Sequence, residues 1–233
     1  MSIDIPTFVI HCKKLYDRKP KVEAELQKHN FTNYEFYEKY DATELTPEFI
    51  NSIYATSNES FDSKVSLWKS LGQVPSSRFL NLAEVSLTYK FFRVFYMIAE
   101  TDCMPNAPFI IFEDDIQLVD DFESKFHQYL AETPKDWDFV FFGSGANLHL
   151  ETEEGKHVYK KHHPASRCAD SILVTRQAAQ KIVDTYLPFS LCSDWEIGWQ
   201  MYHHDMNVYW WEPSLVVQGS ENGTYQSSLR NRS

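Results

Sequence analysis

Short apolar runs alternate with amphipathic stretches along most of this chain. Thr7 to Cys12 (TFVIHC) is apolar and β-branched, which predicts a first buried strand. Lys19 to His29 sets Val22 and Leu26 among charges and reads as an amphipathic helix. Asn33 to Tyr40 alternates aromatic and polar residues, as a half-buried strand does. Thr46-Pro47-Glu48 is an N-cap followed by proline at the first helical position, so a helix is expected over 46–55. The Ser-rich stretch 56–80 reads as an irregular loop or lid. Ala83 to Glu100 carries Val85, Tyr89, Phe92, Phe95, Tyr96 and Ala99 on one stripe at helical spacing.

Phe109 to Phe112 is the next strand. A helix follows over 121–132, then a strand over 137–142 that ends in Gly143-Ser144-Gly145. Ser171–Thr175 predicts a short strand, Arg176–Tyr186 a helix stopped before Pro188, and Trp195–His204 another helix. Tyr209–Trp211 and Leu215–Val217 are short strands. Strand and helix alternate through the first two thirds. That order predicts one α/β domain over 1–233, with a mainly parallel sheet flanked by helices.

The 233 residues suffice for one sizeable core. The net charge of −11 argues against nucleic acid as a partner, because phosphate contacts need a positive footprint. The cationic stretch His157 to His163 reads as a solvated loop. Cys12, Cys103, Cys168 and Cys192 are scattered, which gives no disulfide framework or zinc-ribbon spacing and suits a reducing compartment. No charged leader with an apolar region opens the sequence, and no apolar run approaches the roughly 20 residues of a membrane span. The expectation is a soluble protein of the cytosol, bacterial or in a virus- or phage-infected cell. Aromatic residues reach 15%, a surplus that supplies flat faces for bases and sugars as well as core.

The strongest chemical signal is Phe109-Ile-Ile-Phe-Glu113-Asp114-Asp115-Ile116. Open α/β sheets bind ligands beyond the carboxyl ends of their strands, and three acids stand where this strand would end. Adjacent carboxylates raise one another's pKa unless a cation intervenes. Alternate side chains of an extended segment share a face. Glu113 and Asp115 can therefore grip one divalent ion, with Asp114 turned toward a backbone or ribose partner.

This segment resembles the motif of glycosyltransferase family 25, in which an apolar strand precedes Glu-Asp-Asp and a Phe follows, here Phe122. Further landmarks fall in the same order. They are Phe8 to Arg18, Tyr40-Asp41-Ala42, the helix start Ala83-Glu84 (the family's Cys and Ser-His are not kept here), Ala169 to Ala179, Leu191 to Asp194, Glu212 to Gln218, and Ser227-Ser228.

The resemblance implies a GT-A-like, Rossmann-like fold. It also implies a nucleotide-sugar donor, UDP-sugar favoured, and a glycan or lipid-linked saccharide acceptor, as in lipopolysaccharide biosynthesis. Glu113 and Asp115 become the Mn²⁺ or Mg²⁺ ligands, with His203 or His204 as a possible third. Arg18, Asp41, Glu84 and Asp114 become donor-binding groups, and Asp194 the base of an inverting transfer or else a helix cap. The tail 218–228 would fold over the diphosphate. Two other readings stay open: a metal-dependent nucleotidyltransferase or phosphohydrolase, and a non-catalytic sugar- or protein-binding module on the same scaffold.

Overall fold

The computed structural model describes residues 2–70, 72, 79–162, 166–220 and 223–224. In chain order the elements are β1 (Thr7–Ile10), α1 (Lys19–Lys28), β2 (Tyr34–Tyr37), α2 (Pro47–Ile53), α3 (Asn58–Ser70), α4 (Leu82–Ala99), β3 (Pro108–Glu113), β4 (Ile116–Leu118) and α5 (Phe122–Glu132). There follow β5 (Phe139–Phe141), β6 (Val158–Lys161), β7 (Ser171–Thr175), α6 (Arg176–Tyr186), α7 (Ser193–His203), β8 (Val208–Trp211) and β9 (Val216–Gln218).

Seven strands form one sheet in the order β2-β1-β3-β7-β5-β8-β6. β2, β1, β3, β5 and β8 run one way, while β7 and β6 run against them. Alternate side chains of each strand feed opposite faces. Phe8, Ile10, Phe109, Ile111, Ile172 and Val174 join the core under α4, α6 and α7. Val9, Ile110, Phe112, Val140 and Leu173 join a second core under α1 and α5. Burial on both faces explains why these strands read as unbroken apolar runs rather than alternations. The architecture is the expected α/β, Rossmann-like one: a mixed sheet, most of whose strands share one direction, between two helical layers.

The antiparallel β7 matters for the site. Because it runs against β3, its first residues lie beside the last residues of β3, with Ser171 opposite Phe112. The Glu113 N–H donates to the carbonyl of Asp170 at 2.9 Å. The carboxyl ends of β1 and β3 and the amino end of β7 therefore share one edge. Beyond that edge β4 pairs antiparallel with β9, with Ile116 opposite Gln218. The start of the tail is thereby brought against the acidic segment.

Three expectations are corrected. The stretch 56–80 is not wholly irregular, since α3 occupies 58–70, while 71 and 73–78 lie outside the described residues. Phe61, Val65 and Trp68 form its apolar stripe and pack on Leu191 and Trp195. Ser63, Ser66 and Ser70 face outward, and the hydroxyls of Ser66 and Ser70 fold back onto carbonyls of Ser63 and Leu67. The cationic stretch from His157 is not a solvated loop over 158–161 but the edge strand β6. There Lys161 lies 4.6 Å over the Trp210 ring, and the lysine stems cover aromatic surface of β8. Finally, α7 begins at Ser193, with Cys192 as its N-cap residue, so Asp194 lies inside the first turn.

Candidate active site

Where β1 ends, the chain turns over the sheet edge and places His11, Cys12 and Arg18 against the end of β3. All three engage Asp114. Arg18 donates to Asp114 Oδ1 at 2.7 Å, His11 Nδ1 lies 2.7 Å from Oδ2, and the Cys12 N–H donates to Oδ2 at 3.3 Å. Burial opposes the charge on Asp114, but the His11 hydrogen bond and the Arg18 guanidinium hold its carboxyl below the ordinary range. The partners of Asp114 thus come from the protein, one of them a backbone N–H.

A second buried pair stands behind the first. Lys90, in the middle of α4, donates to the His11 carbonyl at 2.5 Å and to the carboxylate of Asp41. The other Asp41 oxygen accepts the Lys13 N–H at 3.0 Å. Asp41 is therefore occupied by Lys90 and the backbone, and Ala42 rather than Asp41 lines the cleft. Sequence reasoning passed over Lys90 and His11. The signal for Lys90 was a single lysine, between Tyr89 and Phe91, on a helix otherwise apolar there.

The cleft encloses about 700 Å³, part of it open to solvent, and is walled by the β1 turn, α4 and the acidic strand end. Glu113, Asp114 and Asp115 all line it, as do Arg18, Lys90 and Ser220. Asp115 is 4% exposed, and its buried Oδ1 has no hydrogen-bond partner among the described residues. Burial raises the Asp115 pKa, and a hydrogen bond to Ser220 counters part of that rise. Burial also pushes the Glu113 pKa well up, reinforced by the charges of Asp115, Asp194 and Asp170. The Gln218 amide donates to the Glu113 carboxylate at 3.5 Å, while Gly219 N–H donates to the Asp115 carbonyl at 2.6 Å. The first residues of the tail do lie over the acids; residues 221–222 and 225–228 of it lie outside the described residues.

A second recess adjoins the first and shares Leu87, Glu113 and Gln218 with it. Glu84, Cys168, Cys192, Ser193 and Asp194 complete its lining. Asp194 is not the cap of α7. Its Oδ1 accepts the Ala169 N–H at 2.8 Å, from the loop before β7. Burial raises the Asp194 pKa to about 6, although the Ala169 and Cys168 hydrogen bonds favour the charged form. Glu84 closes a capping box at the start of α4 by accepting the Asn81 N–H at 2.8 Å.

Asp170, which sequence reasoning quoted only as part of a segment, is wholly enclosed. Burial raises its pKa to about 7, and its carboxylate accepts from Ser171 at 2.9 Å. His203 and His204 are placed elsewhere. They end α7 nine and ten residues beyond Asp194, about 14 Å along the axis. His203 stacks on Trp199, and His204 Nε2 lies 2.8 Å from Thr185 Oγ1.

Among the described residues, no three His, Cys, Asp or Glu side chains converge to hold a metal by themselves. No helix there is long and apolar enough to cross a membrane. In sum, the structure brings Arg18, Asp114, Glu113 and Asp115 to one cleft, sets Glu84 and Asp194 in the adjoining recess, and leaves Asp41 behind the wall.

No curated protein matches the sequence. Among solved structures, the chain is similar to the inositol-1-phosphate CTP transferase from T. maritima, at 9% identity and TM-score 0.46, over 94% of this chain and 90% of that one. It is also similar to mouse xyloside xylosyltransferase 1 in its apo form, at 9% identity and TM-score 0.37, over 88% of this chain and 84% of that one. The model of glycosyltransferase family 25 (LPS biosynthesis protein) matches residues 4–185, which include the Asp114 clamp, both cleft acids and the Ala169–Asp170 loop. With that much of its length and the acidic strand end inside the match, the chain belongs to glycosyltransferase family 25 and is a glycosyltransferase.

Proposed function

We propose that the protein transfers a glycosyl group, with inversion, from a nucleoside-diphosphate sugar to a hydroxyl of a glycan or lipid-linked saccharide, with a UDP-sugar as the favoured donor. The observation that carries this reading is the buried Asp115 Oδ1. Among the described residues it has no hydrogen-bond partner, and Asp115 and a second acid, Glu113, line a cleft at the carboxyl edge of the sheet. A buried carboxylate oxygen without a partner is costly, and a divalent cation relieves that cost and the mutual repulsion of the acids.

Two carboxylates fit Mg²⁺ or Mn²⁺ held jointly with phosphate oxygens, which does not require a third protein ligand. Glu113 and Asp115 are the residues that would hold it. When bound, such an ion supplies charge neutralisation for a departing diphosphate.

The chain's own groups supply the rest. Asp114, paired with Arg18 and hydrogen-bonded to His11, fixes the turn after β1 so that its backbone forms the cleft wall. Lys14 also lines the cleft on that side and brings a positive charge suited to a nucleoside diphosphate. Asp194 accepts the proton of the acceptor hydroxyl in the second recess. That oxygen then bonds to the anomeric carbon, the anomeric carbon–phosphate oxygen bond breaks, and its electron pair leaves on the diphosphate.

Incubation with a UDP-hexose, Mn²⁺ and saccharide acceptors, with the product's anomeric configuration read by NMR, tests the assignment. A retained configuration, or full turnover by Asp194→Asn, contradicts it.

A further inference from the structure

Asp194 is held from outside its own helix, by the corner between Arg167 and Asp170. Cys168 stands at that corner with φ +65°, a left-handed conformation that side chains other than glycine's rarely adopt. Its neighbours pin it there. Arg167 is 0% exposed and donates to the carbonyls of Leu148 at 2.7 Å and Trp211 at 3.1 Å and to the Glu212 carboxylate at 2.6 Å. On the other side Asp170 leads into β7. Gly145 supplies the room, since a Cβ there would come within 2.3 Å of Cys168 Cβ.

The strained turn has a directional result. The Ala169 N–H donates to Asp194 Oδ1 at 2.8 Å, and the Cys168 side chain shares the recess with that carboxylate and favours its charged form. A backbone held in an unfavourable region by over-determined neighbours is characteristic of functional sites. Cys168 and Asp194 both face the second recess, beside Glu84, Glu113 and Cys192.

The geometry points to Cys168 as a positioning residue of the transfer reaction, whose thiol and left-handed backbone orient the Asp194 carboxylate toward the acceptor hydroxyl in the second recess. This rests on the reading of Asp194 as the base. The thiol makes no bond to substrate. It removes one rotational freedom from a carboxylate that must meet a hydroxyl in a fixed direction.

Three variants separate this role from packing. Cys168→Gly suits φ +65° better than cysteine does, so the fold is kept or stabilised while the donor group is lost. Turnover is expected to fall about tenfold, the scale of one lost hydrogen bond to a charged group, with KM for the nucleotide-sugar and the affinity for UDP unchanged. Cys168→Ser retains a donor and is expected to stay within about threefold of wild type, a weaker perturbation of the same hydrogen bond. Cys168→Ala is expected to follow the glycine variant in kcat and to lie below it in melting temperature.

Wild-type kcat in Cys168→Gly overturns the inference. So does an equal loss in Cys168→Ser, which would make the position one of shape alone. Asp194→Asn distinguishes the levels. An inactive Asp194→Asn beside a fully active Cys168→Gly removes the positioning role and leaves the base. A fully active Asp194→Asn removes the base itself.

Discussion

Arg18 and Asp114 meet at 2.7 Å, 96 residues apart in sequence and both buried in the cleft wall. Their ion pair, completed by His11, ties the turn after β1 to the end of β3. Removing one member strands the other charge in a poorly solvated place. Asp114→Ala should therefore destabilise the fold by about 3 kcal/mol in urea unfolding. The double variant Arg18→Met, Asp114→Leu should recover part of that loss, because replacing a buried pair with apolar groups is often neutral. Equal instability of the two variants would show that the clamp acts through more than its charges.

Asp170 should make stability depend on pH. Its folded pKa is raised from the ordinary 3.8 to about 7 by burial, so the folded state binds a proton more tightly than the unfolded chain. The sign follows: this stability is fully present below about pH 4 and is lost as pH rises through 7. Asp170→Asn keeps the shape and removes the titration. Its melting temperature should exceed that of wild type at pH 8, and the gap should shrink toward pH 5. Parallel melting curves across that range would contradict the assignment.

Asp194 sets an expectation for activity. With its pKa raised to about 6, the base is charged above that pH and protonated below it. The kcat/KM profile should fall on the acid side through an apparent pKa near 6, where an ordinary carboxylate would give a limb near 4. A flat profile down to pH 4.5 would show that another group takes the proton.

Helix α3 docks on α7 through Trp68, which stacks edge-on against Trp195 at 4.8 Å and lies against Gly198. A Cβ at Gly198 would approach the Trp68 ring to 2.8 Å, and that ring is 1% exposed. Gly198→Ala should cost about 1–3 kcal/mol through overpacking, despite the better helix propensity of alanine. A stabilised Gly198→Ala in thermal unfolding would mean that α3 yields freely.

Much of the fold was legible where one periodicity governed a segment. The unbroken apolar runs of β1 and β3 and the stripe of α4 each follow from burial on a fixed face. α3 was hidden because serines on its exposed side diluted a stripe of only Phe61, Val65 and Trp68. β6 was hidden because an edge strand carries lysines that cover aromatic neighbours, and charge alone reads as loop.

At the site, the acids were visible because Glu-Asp-Asp follows an apolar strand directly. What each acid touches was not. Asp41 looked available, but its partner Lys90 comes from 49 residues away. The enclosure of Asp170 depends on β7 running antiparallel, a matter of topology that no local pattern carries. Cys168 gave no signal either, since a left-handed corner at a non-glycine residue is imposed by its surroundings.

The central claim is that Glu113 and Asp115 hold a cation that in turn holds a nucleoside diphosphate. Isothermal titration of UDP and of GDP, with and without Mn²⁺, into wild type and Asp115→Asn tests it most directly. The account predicts UDP binding that requires Mn²⁺ in wild type and is lost in Asp115→Asn. Nucleotide binding indifferent to both the metal and the substitution would contradict it, and would leave the acids at the end of β3 without the role given to them here.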